Sequence, residues 1–327
     1  ITDGLASANP TSAEARRDLS IALEKLADVE LQAGNLPTAR AHLDRCLAVR
    51  EKLAAADPTS AQGQRDLSRA LGNLGDVELL AGRLTAARRY LDRAFEIVRA
   101  LATADPTNAQ VQHDISVVLV NLGELEVQAG HYAAARRHLD RALEVSRAQA
   151  TADPTSITAR SGLFLALERL GSAEQQTGNI SAARGHFGRA LKVAEALNAA
   201  APTSVQGRRA VSAAHDKLGS VEEEADNIAA ARDHYDRALE LRESLAAADP
   251  TSAQAAFDVV LSHVRFIRLA AREDEPGSRR RHIETASALL ADMDLRGQIQ
   301  GIVQREEIRT FLRSLQAEPA AVGTPHE

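Results

Sequence analysis

Charged residues recur along this chain every 48 residues, and their types could support either ligand binding or structural ion pairs. One glutamate and one arginine return in five consecutive repeats. The glutamates are Glu30, Glu78, Glu126, Glu174 and Glu222, and the arginines are Arg40, Arg88, Arg136, Arg184 and Arg232. Each glutamate lies on the apolar stripe of a predicted helix, where an unpaired charge is very costly. We therefore predict a structural ladder of Glu78–Arg88-type ion pairs, within or between neighbouring repeats; a row of ligand-binding arginines is the alternative.

Histidine also recurs, at one position on the outer side of the second predicted helix of most repeats. The members of this series are His42, His138, His186, His234 and His282. Because they lie a full repeat apart, they do not converge like metal ligands, and we expect solvated surface histidines. His215 and His263 replace an inward leucine and are expected to be satisfied core residues. Cys46 occupies a small packed position and is expected to be an inert buried thiol.

The chain carries no recognisable catalytic motif. A glycine-rich phosphate loop, an HExxH zinc motif and a nucleophile elbow are all absent from the sequence. We therefore predict a protein that is not an enzyme and that has no catalytic residue, no metal site and no cofactor.

The residues that position these side chains belong to a repeat of fixed period. Prolines at one phase of the repeat are Pro10, Pro58, Pro106, Pro154, Pro202 and Pro250, so the period is 48 residues without insertion or deletion. Such a period predicts a stacked array of one supersecondary unit. The predicted array covers residues 10–293 as 10–57, 58–105, 106–153, 154–201, 202–249 and a degenerate 250–293. We expect residues 1–9 to be a lead-in, 294–316 a capping helix and 317–327 a disordered tail.

Each repeat has the pattern of two helices joined by a tight turn. In the second repeat the Asp57-Pro58 dipeptide carries a helix-start signal, and apolar residues at helical spacing follow from about Ser60. Gly82 fits the position after the helix end, where a left-handed backbone favours glycine. A second helix over about 85–103 completes the hairpin. In the sixth repeat we expect a short second helix that begins at Arg279.

Composition and charge exclude several classes of protein. The net charge of −6 argues against nucleic-acid binding. The single cysteine fits a reducing compartment, and no apolar run approaches the length of a membrane-spanning helix. We expect a cytoplasmic protein that binds neither nucleic acid nor a membrane. Since the sequence begins with Ile1 rather than methionine, we expect a fragment of a longer protein or a processed chain.

The small residues of the hairpin carry a resemblance to a known family. The spacing of Leu74-Gly75, Gly82, Ala87, Leu91 and Ala94 resembles the tetratricopeptide repeat, and it registers in five copies. The usual repeat of that family has roughly 34 residues, so this chain resembles the long-repeat variants of bacterial proteins. The resemblance implies an all-α fold: an α-solenoid of helix-turn-helix repeats in a right-handed superhelix, with a C-terminal capping helix. We further expect Ala87 and Ala94 to face Gly75 across the hairpin.

The resemblance also implies a binding surface, because tetratricopeptide arrays bind extended peptides or partner helices on a concave wall of first helices. The groove positions of the family fall in this chain on Ile21, Glu24, Asp28, Leu31, Arg69, Asp76, Leu79, Val117, Val120, Glu124, Val127, Leu165, Glu168, Gln175, Asp216 and Glu223. Several are acidic, and the clamp of lysine and asparagine that some members use for a C-terminal carboxylate is missing. We therefore expect a partner that is cationic, or amphipathic with basic flanks.

The function that follows is a protein–protein interaction scaffold that holds a peptide or a partner protein in the concave groove. One alternative is a sensor or regulatory arm of a larger bacterial signalling protein, such as an ATPase, a kinase or a caspase-like protease. Another is a self-assembling structural module. The sequence leaves open the partner, the parent protein, the oligomeric state, the superhelical pitch and the face that binds.

Overall fold

The computed structural model describes residues 12–296 and 305–316, and every regular element in that part of the chain is an α-helix. The helices follow one another as first and second helices of hairpins, and the predicted all-α fold of consecutive hairpins is confirmed. They are α1 (Ala13–Gln32), α2 (Leu36–Ala56), α3 (Ala61–Leu80), α4 (Leu84–Ala104), α5 (Ala109–Gln128), α6 (Tyr132–Ala152), α7 (Ile157–Gln176), α8 (Ile180–Ala200), α9 (Val205–Glu224), α10 (Ile228–Ala248), α11 (Ala253–Arg272), α12 (Pro276–Leu295) and α13 (Arg305–Gln316).

The chain forms two compact units, Ile1–Ala200 and Ala201–Glu327. In the first unit each second helix packs on the first helix of the next hairpin, and α5 also packs directly on α3 and α7. Neighbouring first helices therefore share one surface in this unit. In the second unit the hairpins α9–α10 and α11–α12 pack through α10 and α11, and α13 packs on α12.

The helix starts differ from the predicted Asp-Pro signal. The cap of α3 is Ser60, whose hydroxyl accepts a hydrogen bond from the Gly63 backbone N–H at 3.1 Å. Asp57 instead ends α2, and its Oδ1 accepts from the backbone and the hydroxyl of Thr59 at 3.1 and 2.7 Å. These hydrogen bonds lower the pKa of Asp57. The motif therefore closes one helix and leads the chain to the serine that opens the next.

The turn inside each hairpin requires a left-handed residue, as the sequence predicts. Gly82 has φ of 69° directly after the end of α3. Where glycine is absent, Asp226 and Asp274 adopt the same region with φ of 62° and 53°. Aspartate tolerates this backbone better than most residues, so the hairpin geometry survives in the last two repeats.

The glycine on the first helix makes room for a large side chain of the second. A Cβ built on Gly75 would lie 2.6 Å from Leu91 Cδ2, and its three nearest neighbours all belong to Leu91. Leu91 is therefore the direct neighbour of Gly75, and the fully buried Ala87 and Ala94 flank it on the same face of α4. At Gly171 the corresponding neighbour is the ring of Phe187, again at 2.6 Å.

The sixth hairpin is more regular than the sequence suggests. Its second helix, α12, has 20 residues and begins at Pro276, where the missing proline N–H costs nothing. The prediction of a short helix beginning at Arg279 is therefore wrong. Of the predicted capping segment, α13 is described, and its Leu312 is buried in one cluster with Ile283. Residues 297–304, the lead-in 1–9 and the tail 317–327 lie outside the described part of the chain.

Gly171 and Gly185 allow a matched test within one hairpin. Gly171→Ala is expected to lower the free energy of unfolding by about 2 kcal/mol, because the new Cβ overpacks the rigid Phe187 ring. Gly185→Ala places its Cβ in open space on α8. This substitution is expected to raise the free energy of unfolding by about 0.5–1 kcal/mol. Chemical denaturation measures both values. Equal effects of the two substitutions would contradict this packing.

Candidate protein-binding surface

The recurring glutamates lie near the ends of the first helices beside the turn; Glu78, Glu126, Glu174 and Glu222 are buried, and Glu30 is half-buried. Glu126 Oε2 lies 2.8 Å from His131 Nδ1, which belongs to its own turn. Its Oε1 accepts a hydrogen bond of 2.8 Å from Arg88 Nη2, which belongs to the hairpin before it. Burial raises the pKa of Glu126, but the hydrogen bonds from Arg88 and His131 outweigh it and leave this pKa below its ordinary value. One carboxylate therefore ties a turn to the preceding hairpin.

The same arrangement occurs on both sides of this junction. Glu78 Oε1 lies 2.7 Å from Arg40 Nε, and its Oε2 contacts Arg83 in the turn. Glu174 Oε1 lies 3.2 Å from Arg136 Nη1, and its Oε2 accepts from Asn179 Nδ2 at 2.7 Å. In each case the arginine stands 38 residues before the glutamate. The pairs therefore join neighbouring hairpins, and the partner of Glu78 is Arg40 rather than Arg88.

The ends of the series keep part of this arrangement. Glu30 and Glu222 each accept a side-chain hydrogen bond of 2.8 Å from the asparagine five residues later. In the sixth repeat Ala270 stands where the glutamate would be. Arg232 then pairs with Glu273 and, at 3.2 Å, with Glu275 of the following turn. Arg184 is half-buried on α8.

The turn residues that bind these carboxylates were missed in the sequence. They share one position, directly after the left-handed residue of the turn: Asn35, Arg83, His131, Asn179 and Asn227. All five are hydrogen-bond donors, and all can reach back to a carboxylate. That recurrence of donor side chains five residues after each glutamate was a readable signal.

A buried arginine forms an ion pair with one of the predicted groove acids. Arg50 is only 1% exposed, and its Nη2 lies 2.6 Å from Glu24 Oε2. The guanidinium also donates to Ser20 Oγ at 3.3 Å and to the Asp66 carbonyl oxygen at 3.0 Å. Asn73 donates to the other oxygen of Glu24 at 2.8 Å. Glu24 is therefore part of the contact between hairpins and offers a partner little free charge.

The same network returns in the second compact unit. Arg242 Nη1 lies 3.3 Å from Asp216 Oδ1, and Arg265 Nη2 lies 3.3 Å from Asp216 Oδ2. Arg242 also donates to Ser212 and Ser262 at 3.2 and 2.8 Å. Asp216, a second predicted groove acid, is thus neutralised inside the fold. A signal was available, since Arg50 and Arg242 hold one repeat position that Val98 and Ala194 fill elsewhere.

The predicted groove residues differ widely in exposure. Leu79, Val120, Val127 and Glu168 are buried; Ile21, Glu24, Leu31, Asp76, Val117, Glu124, Leu165, Gln175, Asp216 and Glu223 are half-buried; Asp28 and Arg69 are exposed. The buried members pack between hairpins and present almost no surface to a partner. Of the others, Glu124 lies 3.9 Å from Arg169, and Glu223 Oε2 accepts from the hydroxyl of Tyr235 at 2.8 Å.

Two predicted groove carboxyls of the unit Ile1–Ala200 have no ion pair within 4 Å among the described residues, Asp28 and Asp76. They hold one repeat position on α1 and α3. Burial raises the pKa of Asp76 to about 7; a hydrogen bond from Asn121 and the charge of Arg169 oppose this effect. Burial also raises the pKa of Asp28. Between pH 3.8 and 7 folded Asp76 binds more protons than the unfolded chain, so its ionisation costs stability as the pH rises.

The histidines of the outer series are not solvated as expected. All five histidines of this series are half-buried. Burial lowers the pKa of His138 and His186. His234 Nδ1 lies 3.0 Å from His215 Nδ1, and His282 Nδ1 lies 2.9 Å from His263 Nδ1. In each pair one neutral imidazole donates to the other, so these four side chains join first and second helices.

Cys46 is fully buried, and its thiol donates to the Ser20 carbonyl oxygen at 3.3 Å. Burial raises the pKa of this thiol to about 11. Across residues 12–296 and 305–316, no three of the metal-binding residue types converge on one point. Within those ranges none of the helices combines the length and the hydropathy needed to cross a bilayer.

A double-mutant cycle tests the pairing between hairpins. Arg88→Met and Glu126→Gln are expected to show a coupling energy of about 1 kcal/mol, because the two side chains share one half-buried network. The control pair is Arg99 and Glu96, which are 60% and 62% exposed on α4. Its coupling is expected to be about 0–0.5 kcal/mol. Urea unfolding of the native chain and the six variants gives both values, and equal coupling would argue against a structural ladder.

The comparisons with known proteins agree with this fold. Residues 18–100 and 66–148 match the family model described as tetratricopeptide repeat. A comparison with curated proteins finds no match to this sequence. Among solved structures, BtubC (BKLC) from P. vanneervenii is similar at 16% identity and a TM-score of 0.60, over 79% of this chain and 92% of that chain.

Two further solved structures are similar. A Rap protein complexed with Competence and Sporulation Factor matches at 15% identity and a TM-score of 0.58, over 91% of this chain and 74% of that one. The apo form of RapI matches at 12% identity and a TM-score of 0.54, over 91% and 96%. These likenesses show the fold. The chain therefore has a tetratricopeptide-like fold of helical hairpins, and its residues 18–148 match the tetratricopeptide repeat family.

Proposed function

We propose that this chain is a long-repeat scaffold without catalytic activity, and that it binds a cationic or amphipathic protein segment. The binding surface of the proposal is the shared face of the first helices in the unit Ile1–Ala200. The observation that carries it is the pair of carboxyls at Asp28 and Asp76, which the fold leaves without an ion pair.

Burial makes the ionisation of these two carboxyls unfavourable, and this supports a binding role. Other acids on this surface are paired with arginines, as Glu24 is with Arg50 of its own hairpin and with Arg69 of the next. Asp76 is kept instead in a place where ionisation is unfavourable, and an uncharged residue there would suit the fold better. A carboxyl whose pKa is strongly shifted, as at Asp76, is a candidate for a functional role. A lysine or arginine of a bound partner would supply the missing positive charge.

Apolar side chains beside these carboxyls support an amphipathic partner. Leu80 follows Asp76 by one helical turn on α3 and is 65% exposed. Leu31 occupies the corresponding region of α1 and is half-buried. A partner helix with an apolar stripe and basic flanks would cover Leu80 and meet both aspartates. The Rap protein that is similar in fold is complexed with Competence and Sporulation Factor, which is consistent with partner binding by such arrays.

A defined peptide tests the proposal. An amphipathic helical peptide of lysine and leucine is expected to bind the chain, and its glutamate–leucine counterpart is not. Asp28→Lys with Asp76→Lys is expected to weaken the lysine peptide about tenfold or more, because like charges then face each other. Fluorescence anisotropy at low and high salt measures the affinities.

The matched control is Asp44→Lys with Asp92→Lys. These aspartates are exposed on α2 and α4, lie one repeat apart, and give the same change of net charge. The control protein is expected to keep the affinity of the native chain. Equal weakening by both double variants would show a general charge effect and reject the first-helix surface. Circular dichroism checks that both variants remain helical.

A further inference from the structure

A second series of ion pairs joins successive first helices near their starts. Arg17 Nε lies 3.0 Å from Asp66 Oδ2, and Gln62 Nε2 donates to Asp66 Oδ1 at 2.9 Å. One repeat later, Arg65 Nε lies 2.5 Å from Asp114 Oδ2. Gln110 there donates to Asp114 Oδ1 at 3.4 Å. Each junction is thus built from one arginine, one glutamine and one aspartate.

The next junction has lost all three members together. The residues at the corresponding positions are His113, Thr158 and Gly162. In the second compact unit the full set returns as Arg209, Gln254 and Asp258, and Gln254 donates to Asp258 at 2.8 Å. Every replacement at the altered junction is smaller than the residue it replaces. These three replacements remove an ion pair and leave smaller side chains at this junction.

A cavity of about 600 Å³ lies at this junction, between the starts of α5 and α7 and the side of α6. Its wall combines the apolar residues Val145 and Ala148 with the polar residues His113 and Thr158. Sites for small ligands commonly have about 300–1,000 Å³ and this mixture of apolar wall and few polar groups. The cavity is therefore large enough for a small molecule or for a few atoms of a peptide.

The imidazole of His113 is left without a partner in this wall. Its Nδ1 is shut off from solvent and has no hydrogen-bond partner among the described residues. A Cβ built on Gly162 would lie 3.6 Å from that Nδ1, so the missing aspartate side chain would start beside the imidazole. Buried polar atoms are nearly always hydrogen-bonded. Burial also lowers the pKa of His113, which keeps the ring neutral with one N–H to donate.

The acids of the cavity wall are already bound. Glu144 Oε2 lies 2.8 Å from Arg141 Nη1. Asp153 Oδ1 accepts hydrogen bonds from the backbone and the hydroxyl of Thr155 at 3.0 and 2.7 Å. The donors of the wall that remain for a new acceptor include those of His113 and Thr158 and the further N–H groups of Arg141.

We propose that this cavity binds the carboxylate of a ligand in the place of the missing aspartate side chain. The carboxylate accepts hydrogen bonds from the His113 imidazole and the Thr158 hydroxyl, and the carbon chain of the ligand lies against Val145 and Ala148. The carboxylate can come from a free small organic acid or from a peptide, and both sources share the same chemistry at His113.

Acetate is the direct probe, because it equals the aspartate side chain beyond its Cα. The experiment adds sodium acetate to the full chain at constant ionic strength and follows the imidazole signals by NMR. A saturable shift of the His113 signals is expected, and no shift of His138 or His186, which lie outside the cavity wall. Sodium chloride alone serves as the blank. Absence of a saturable shift at His113 with every carboxylate tried would overturn the proposal.

Two variants keep the test specific. Gly162→Asp supplies the carboxylate within the chain, so it is expected to prevent acetate binding; Gly185→Asp adds the same charge on exposed α8 and is expected to leave binding unchanged. Thr158→Val removes one donor at nearly constant volume and is expected to weaken acetate about tenfold. If Gly162→Asp fails to fold, Thr158→Val decides the question. If Gly162→Asp or Thr158→Val folds and still binds acetate with the affinity of the native chain, that result would contradict the site.

The source of the carboxylate is settled by comparing probes. Succinate represents small acids, and a short peptide with a free C-terminal carboxylate is measured beside the same peptide with a C-terminal amide. Tighter binding of succinate indicates a metabolite-like acid. Tighter binding of the free-acid peptide, lost in the amide, indicates a chain terminus.

Discussion

A glutamate buried near the end of the first helix, as at Glu78, Glu126 and Glu174, makes the interaction on which the rest of the array depends. A carboxylate in that place is tolerated only if its oxygens are bound. In Glu126 one oxygen faces the turn residue His131 and the other faces Arg88 of the preceding hairpin. Both are satisfied only when two hairpins stack in one register. The alanine- and leucine-rich faces between hairpins supply the buried apolar area. Small apolar side chains distinguish weakly between one stacking register and another, and the ion pairs select the observed register.

This constraint also explains how the chain uses its other charges. Arginines bind acids of the first helices both within a hairpin, as Arg50 binds Glu24, and across two hairpins, as Arg69 binds Glu24, so much of the acidic face serves to hold the helices together. Function is then expected where the internal pairing is incomplete. Asp28 and Asp76 are carboxyls without an ion pair, and His113 is a donor whose aspartate is missing. In both places a polar group lacks the partner that its counterparts have in other repeats, as Glu124 has Arg169 and Asp114 has Arg65.

Much of the fold could be predicted from the sequence, because a fixed period of 48 residues makes every copy a test of the others. The hairpins, the left-handed Gly82 and the glutamate and arginine positions are all visible in that way. The contacts between individual side chains could not be predicted in this way. Leu91 rather than an alanine fills the space at Gly75, and Ser60 rather than Asp57 caps α3, because these choices depend on side-chain directions that spacing does not fix. The sixth hairpin looked degenerate because its turn sequence changed while its helix length did not.

The candidate site was harder to predict than the fold, since exposure and pairing arise between hairpins. Val120 and Glu24 share the positions of a binding groove in the family, yet one is buried and the other is held by Arg50. The measurement that tests this account most directly is a carbon-13 NMR titration of the side-chain carboxyl groups of the native chain. The account predicts that Asp76 titrates near pH 7 while Glu126 titrates below its ordinary range. An Asp76 that titrates near pH 4, together with a Glu126 that titrates in its ordinary range, would contradict the division between free and structural carboxylates.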